Sequence, residues 1–207
     1  MVLVGKLRMA PAKSSYVLSV RQKVALQFIF SNLAMVANFA LSIVLARLLT
    51  PQEIGIFSMS AVLIAVAHVF RDFGVTSFIE REKSLTPDIL RNSLGVLLIS
   101  SWGVAVIMFL SAGYWAHFFS ESRVVPVVQV LALGFVFIPF GAIPIAILSR
   151  EMAVEKTAYV TAVGTVVYFV TSVVLALKGF GAMTMAWANL VNIIVTGAMG
   201  RWMVARP

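Results

Sequence analysis

Charged residues divide the chain into six long uncharged runs, and these runs dominate the pattern of the sequence. They cover residues 24–46, 54–70, 92–120, 124–149, 157–177 and 179–200. A helix needs roughly 20 apolar residues to cross a hydrocarbon core of about 30 Å. Five runs reach that length, and apolar sequence resumes after the second. The pattern predicts an all-α integral membrane protein with six transmembrane helices, at about 24–46, 54–78, 92–113, 124–148, 157–177 and 180–200.

Two local features refine this interpretation. Threonine followed by proline, at Thr50 and again at Thr86, predicts the starts of the second and third helices, because threonine caps a helix and proline suits its first turn. The first run is too long for the apolar part of a secretory signal, and no small-residue cleavage site follows it before Arg47. We therefore expect it to remain as a span.

The composition excludes ordinary soluble classes. Hydrophobic residues make up 61% of the chain and charged residues only 12%, whereas a soluble domain has roughly 25% charged residues. The absence of cysteine excludes disulfides and thiolate metal sites. No metal-spaced cluster, phosphate-binding glycine loop or Ser-His-Asp set is present. The sequence predicts neither an enzyme nor a bound cofactor or metal.

The net charge of +8 predicts the orientation of the chain. All but three of the 16 basic residues lie on one side of the predicted membrane, the exceptions being Arg47, Arg123 and Lys178. Basic residues concentrate in the cytoplasmic loops of membrane proteins, so both termini are expected in the cytoplasm. Contact with anionic membrane lipids accounts for this charge without nucleic acid. Residues 1–15 form a basic tail and residues 16–207 one six-helix lobe.

Polar residues recur on single faces of three predicted helices. The candidates for a substrate cavity are Gln27 and Asn38 in the first helix, Thr161 and Tyr168 in the fifth, and Asn189 and Asn192 in the sixth. Hydrocarbon penalises such groups, so these faces are expected to turn towards other helices or water. Two interpretations stay open, namely hydrogen bonding between neighbouring helices and the lining of a cavity; the first is the more ordinary role for threonine.

Two further features are compatible with a transporter but are not specific to one. His68 and Asp72 are four residues apart and share a helix face. They form either a proton- or ion-coupled pair or the polar end of the second helix. Pro139 and Pro144 lie inside the fourth run, where each removes a backbone hydrogen bond and favours a kink.

Several segments resemble bacterial lipid-linked oligosaccharide flippases, the polysaccharide-biosynthesis exporters of the multidrug/oligosaccharidyl-lipid/polysaccharide superfamily. Leu45–Gly55 is similar to their first periplasmic turn, and Phe70–Gly74 to a signature at the end of their second helix. Val130–Leu133 and Leu148–Met152 resemble their fourth-helix region, and the similarity extends over roughly residues 15–205. The first two motifs together are the more specific.

The resemblance implies translocation of an undecaprenyl-diphosphate-linked glycan to the periplasmic leaflet by alternating access. Family members have two lobes around a cationic central cavity. Arg47, Arg71 and Asp72 match motif positions, which implies gating or structural roles. His68, from its spacing, and Arg150, from the last matching segment, complete this set of candidates.

The resemblance also implies that the chain is one lobe. Six predicted helices match half of such a transporter, so the chain is expected to be a fragment, a truncated product or a half that pairs with another. Its expected partners are a lipid-linked glycan, membrane lipids, and a second six-helix lobe or polysaccharide polymerase and assembly proteins. The alternatives are a cation-coupled small-molecule exporter of the same superfamily, with His68 and Asp72 in coupling, or a non-transporting scaffold or remnant lobe.

Overall fold

Helices account for all the regular structure that the computed structural model describes, which comprises residues 20–72, 75–81, 86–150 and 154–205. They are α1 (Val20–Leu48), α2 (Pro51–Asp72), α3 (Val75–Arg81), α4 (Pro87–Phe118), α5 (Val124–Arg150), α6 (Val154–Leu177) and α7 (Met183–Ala205). Within these residues, every helix except α3 is long and apolar enough to cross a membrane. The prediction of an all-α protein with six membrane-spanning helices is confirmed. The predicted tail at residues 1–15 lies outside the described residues.

The second predicted span, residues 54–78, takes in parts of two helices. The helix α2 ends at Asp72, and the short helix α3 begins at Val75. Within α3 the side chain of Ile79 is fully buried against Leu97 of α4 and Ile143 of α5. The apolar residues of α3 therefore pack against the bundle as a separate helix. Hydropathy alone does not distinguish such a short helix from a continuation of the second span.

Threonine caps begin two of the helices at the predicted positions. The backbone nitrogen and the hydroxyl of Thr50 donate to the Glu53 carboxylate at 2.7 and 2.9 Å, and the Glu53 nitrogen donates back to the hydroxyl at 3.3 Å. This reciprocal capping box satisfies groups that a helix start leaves unpaired. Thr86 caps α4 by accepting from the nitrogen of Ile89. The turn before α7 packs on the same Glu53 carboxylate through Gly181, which has a φ of 56°. A Cβ added to Gly181 would lie only 2.6 Å from the Glu53 Oε1, so this contact requires glycine.

The helix α5 lies at the centre of the bundle. It contacts α2, α3, α4, α6 and α7, and 50% of its span is buried, against 11% for α1. It remains helical through Pro139 and Pro144. Its contact with α7 is closest at two glycines, where a Cβ on Gly141 would lie 2.7 Å from the Cα of Gly197. Small residues allow such backbone proximity, which is a common basis of helix association in membranes.

The helix α1 lies at the edge of the bundle and packs mainly on α6. Its buried residues Leu41 and Leu45 lie in the second half of the helix and, with Leu49 just after its end, share a cluster with Ala176 of α6. Side chains in the first half of the described helix are more exposed, and Phe28, for example, is 69% exposed. The two helices are therefore joined chiefly near the end of α1.

The loop between α4 and α5 carries an exposed ion pair that gives a pH-dependent prediction. Arg123 donates from Nε and Nη2 to the Glu121 carboxylate at 2.9 and 3.0 Å, and this hydrogen bonding lowers the pKa of Glu121. A lowered folded-state pKa stabilises the protein above the unfolded-state value, and the benefit disappears as the pH falls through the folded-state value. The substitution Arg123→Gln is therefore expected to cost little stability at neutral pH, because the pair is exposed.

Thermal unfolding of wild type and Arg123→Gln across a pH series checks this expectation. Their small difference in melting temperature should shrink towards acid pH, as Glu121 becomes protonated. A difference that stays constant down to strongly acid pH would show that the ion pair is not its source.

Candidate functional site

A polar cavity of about 340 Å³ lies between α1, α5, α6 and α7. The apolar part of its wall comes from α5 and α6, and the polar part from α1, α6 and α7. The residues that line it are Asn38, Ile145, Leu148, Thr157, Val160, Thr161, Gly164, Thr165, Tyr168, Asn192 and Thr196. Every one of these residues is uncharged. The cavity can therefore bind a neutral polar group through hydrogen bonds but offers no ion pair.

The structure brings together four of the six residues predicted for a substrate cavity. Asn38, Thr161, Tyr168 and Asn192 all line the cavity. Asn189 lies three residues before Asn192, is half-buried and does not line it. The predicted residue Gln27 belongs to α1, but its side chain lies outside the described part of the structure. Whether the four residues bind a substrate stays a prediction.

Three further threonines line the cavity, although the sequence favoured an ordinary helix-contact role for this residue type. They are Thr157, Thr165 and Thr196. Thr157 and Thr165 lie four residues on either side of Thr161, and Thr196 lies four after Asn192. Residues four apart share a helix face. The four-residue spacing in the sequence could therefore have identified these three threonines as cavity residues as well.

Four of the polar hydrogens in this wall are used by the helices themselves. The hydroxyls of Thr161 and Thr165 each donate to a carbonyl oxygen four residues earlier at 3.0 Å. The hydroxyl of Thr196 donates to the Asn192 carbonyl oxygen at 2.7 Å, and the Asn38 side-chain nitrogen donates to the Ala34 carbonyl oxygen at 2.8 Å. The oxygen lone pairs of these side chains are not used in these bonds.

Asn192 of α7 packs against Gly164 of α6. A Cβ added to Gly164 would lie 2.8 Å from the Asn192 Oδ1 and 2.6 Å from the Cγ2 of Thr196. The Asn192 Oδ1 is buried and has no hydrogen-bond partner among the described residues. A buried unpaired oxygen costs free energy unless another group donates to it. The absence of a side chain at Gly164 thus places an unsatisfied acceptor beside the cavity.

Among the candidates for gating or structural roles, Arg47 lies far from Arg71, whereas His68 lies three residues before Arg71 on the same helix. Arg47 is exposed near the end of α1, next to the start of α2, while Arg71 is at the other end of α2 and only 8% exposed. A helix the length of α2 separates the two by roughly 30 Å. His68 is half-buried with its ring 4.8 Å from that of Phe135, and Arg150 is half-buried at the end of α5.

The remaining predictions about ionisable groups concern the pair of His68 with Asp72 and the binding of metal. The side chain of Asp72 lies outside the described part of the structure, so the predicted pairing of His68 with Asp72 stays a prediction. Among the described residues, no three His, Cys, Asp or Glu side chains lie close enough to hold a metal ion. The gating roles stay predictions.

Cysteine labelling distinguishes a wet cavity from an ordinary helix contact. The chain has no cysteine, so one introduced thiol gives an unambiguous signal. The variant Thr161→Cys should react with a charged, water-soluble maleimide, because a thiol ionises readily only where water reaches it. The control Val166→Cys lies on the same helix, is 61% exposed and does not line the cavity.

The control thiol should stay unreactive in the membrane, since it lies on the outer surface of the lipid-spanning bundle. Equal labelling of the two variants in native membranes would contradict a water-filled cavity at Thr161.

The fold and cavity define a multi-pass membrane protein with a cavity lined by uncharged residues. Comparison with known families then identifies the chain more closely. The family of polysaccharide biosynthesis proteins matches residues 44–206, and the chain belongs to this family. This confirms the family predicted from the motifs at Leu45–Gly55 and Phe70–Gly74.

One characterised relative is the lipopolysaccharide biosynthesis protein WzxC of Escherichia coli strain K12. The two sequences are 28% identical over 188 residues, which cover 86% of this chain and 37% of WzxC. The chain thus spans little more than a third of the length of this relative. No solved structure matches the chain significantly.

Proposed function

We propose that this chain is part of a flippase that moves a lipid-linked oligosaccharide across the membrane for cell-surface polysaccharide biosynthesis, and that it performs no chemical reaction. The observation that carries the proposal is the open cavity with uncharged polar side chains in its wall, in an otherwise apolar bundle. Membership of the polysaccharide biosynthesis family supports the nature of the cargo. The carrier lipid that best fits this role is undecaprenyl diphosphate.

The mechanism follows from the energetics of the membrane. The lipid tail of such a substrate can stay in the bilayer throughout, whereas its glycan has to cross hydrocarbon. Polar groups without hydrogen-bond partners cost several kcal/mol each in an apolar medium. A cavity lined by Asn38, Thr161 and Asn192 offers replacement partners and lowers that barrier. The protein therefore acts by replacing water around the glycan during its passage.

Alternating access requires a surface that can open and close. The helix α1 packs mainly on α6, and much of its remaining surface is exposed. We propose that a second six-helix lobe, in the same or another polypeptide, covers this side and completes the pathway. The assembly would lie in the bacterial inner membrane with both ends of the present chain in the cytoplasm, as the distribution of basic residues favours.

Removal of the encoding gene from its host tests this function. The mutant should lose surface polysaccharide and accumulate the lipid-linked glycan in the cytoplasmic leaflet, because synthesis continues while translocation stops. The accumulated glycan can be measured by its accessibility to glycan-binding reagents in membrane vesicles of opposite orientation. Restoration of the gene provides the control.

Intact surface polysaccharide in the mutant would contradict a transport role. Loss of polysaccharide without accumulation of the lipid-linked glycan would favour a scaffold for assembly proteins instead.

A further inference from the structure

We propose that the cavity between α1, α5, α6 and α7 is a subsite for one uncharged sugar residue and that it discriminates against the anionic diphosphate. This inference rests on the proposed function and deepens it, because it assigns different parts of the substrate to different places. Three properties of the cavity support the inference, namely its hydrogen-bond acceptors, its lack of charged lining residues and its volume.

Hydrogen bonding within the helices engages four donors of the cavity wall and leaves the acceptors of the same side chains open. Three of its threonine hydroxyls donate to carbonyl oxygens of their own helices, and one amide hydrogen of Asn38 does the same. A hydroxyl has a single hydrogen but two acceptor lone pairs. Thr161, Thr165 and Thr196 therefore offer acceptors to a ligand while their hydrogens are engaged.

Asn192 adds the most demanding acceptor. Its Oδ1 is buried, has no partner among the described residues and lies where Gly164 lacks a side chain. Because this oxygen packs against Gly164 and is closed to solvent, a ligand reaches it only if the Asn192 side chain turns towards the cavity. A hydrogen bond donated to it there would relieve a penalty already present in the empty protein. The cavity thus favours a ligand with several donors held close together.

Sugar residues meet this requirement and phosphates do not. Each sugar hydroxyl can donate a hydrogen bond, whereas an ionised diphosphate only accepts. No lining residue is charged, so an anion entering the cavity would lose its water without gaining an ion pair. The same arrangement that binds a neutral sugar therefore disfavours the charged part of the substrate.

The size of the cavity fits a small organic group better than an ion. Its volume of about 340 Å³ lies at the lower end of the range for small-molecule pockets. A bare sodium ion would fill a small fraction of this space, and no lining carboxylate compensates its charge. One sugar residue with some retained water is the occupant that charge, hydrogen bonding and volume favour together.

Saturation-transfer NMR on the purified full chain tests the subsite directly. The detergent should have a zwitterionic head group, since a glycoside detergent would itself occupy a sugar site. The probes are methyl β-glucoside, N-acetylglucosamine, glucuronate and glucose 1-phosphate, each at the same millimolar concentration. The two neutral probes should show saturation transfer and the two anions several-fold less.

Two substitutions place the binding in this cavity. Thr161→Val keeps the volume but removes an acceptor, and Asn38→Leu removes an amide from the wall. Each should weaken binding of the neutral probes by up to about tenfold, the effect expected of one lost hydrogen bond. Their controls are Thr171→Val and Asn32→Leu, whose positions do not line the cavity. Asn32 makes the same type of bond to its own helix as Asn38 does.

The outcomes separate this inference from the proposed function. Loss of neutral-sugar binding in both cavity variants, with retention in both controls and unchanged melting temperatures, supports the subsite. Anion binding as strong as that of the neutral probes, or displacement of the sugar by sodium, overturns it. If gene removal stops glycan translocation but no neutral probe binds, the proposed function stands and the subsite is wrong. If the sugars bind but gene removal has no effect on the glycan, the proposed function fails alone.

Discussion

The substitution Gly141→Ala is expected to destabilise the folded bundle by about 2 kcal/mol, within the range for overpacked interiors. The added Cβ would lie 2.7 Å from the Cα of Gly197, which is closer than non-bonded carbon atoms approach. Because the clash involves backbone on the opposite side, no side-chain rotation relieves it, and α5 and α7 have to separate. Thermal unfolding in detergent should show a clearly lower melting temperature.

Two other glycine variants serve as graded controls. Gly103→Ala places its Cβ where nothing lies within 4 Å, and Gly197→Ala approaches the Gly141 Cα to 3.3 Å. We expect Gly103→Ala to be neutral or slightly stabilising, since alanine favours helix, and Gly197→Ala to fall between the other two. Equal melting temperatures for Gly141→Ala and Gly103→Ala would contradict the close helix crossing.

The double substitution Asn38→Leu and Asn192→Leu is expected to abolish glycan translocation while the protein stays folded. The two residues contribute amides to opposite sides of the cavity, from α1 and α7. Replacement by leucine makes the path apolar where the glycan needs hydrogen-bond partners. Stability should be preserved, because replacement of the unpaired Asn192 amide by an apolar group removes a buried oxygen that is unsatisfied in the protein.

The assay is surface polysaccharide in a host whose chromosomal gene has been removed, with membrane abundance of the variant measured in parallel. Asn32→Leu is the matched control, since Asn32 is also exposed on α1 and bonded to its own helix but does not line the cavity. Normal polysaccharide from the double variant at normal abundance would reject the role of the cavity in transport.

Much of this fold follows from local properties of the sequence. Apolar length predicts the helices because the cost of unpaired backbone groups in hydrocarbon leaves few alternatives. The caps at Thr50 and Thr86 were predictable because they depend on residues three apart in one turn. The boundary at Asp72 was not, since the packing of α3 depends on tertiary contacts of Ile79 with Leu97 of α4 and Ile143 of α5, which no local pattern reveals.

The candidate site was predictable only in part, for a related reason. A polar face can be located along a helix, but its direction depends on how the helix is rotated against its neighbours. Asn189 and Asn192 are three residues apart and lie about 60° from each other around α7; only Asn192 lines the cavity. The apolar wall at Ile145 and Leu148 comes from α5, whose sequence gives no polar signal there.

The attachment of α1 to α6 near Leu41, Leu45 and Leu49 has a mechanical consequence. From Leu41 back to Val20 the helix forms an arm of about 32 Å at 1.5 Å per residue. A tilt of only about 10° at the attached end would sweep the tip through about 5 Å by the same helix geometry. Asn38 lies close to the attached end and barely shifts, so a tilt of α1 can move the far end of the helix while this cavity residue keeps its place.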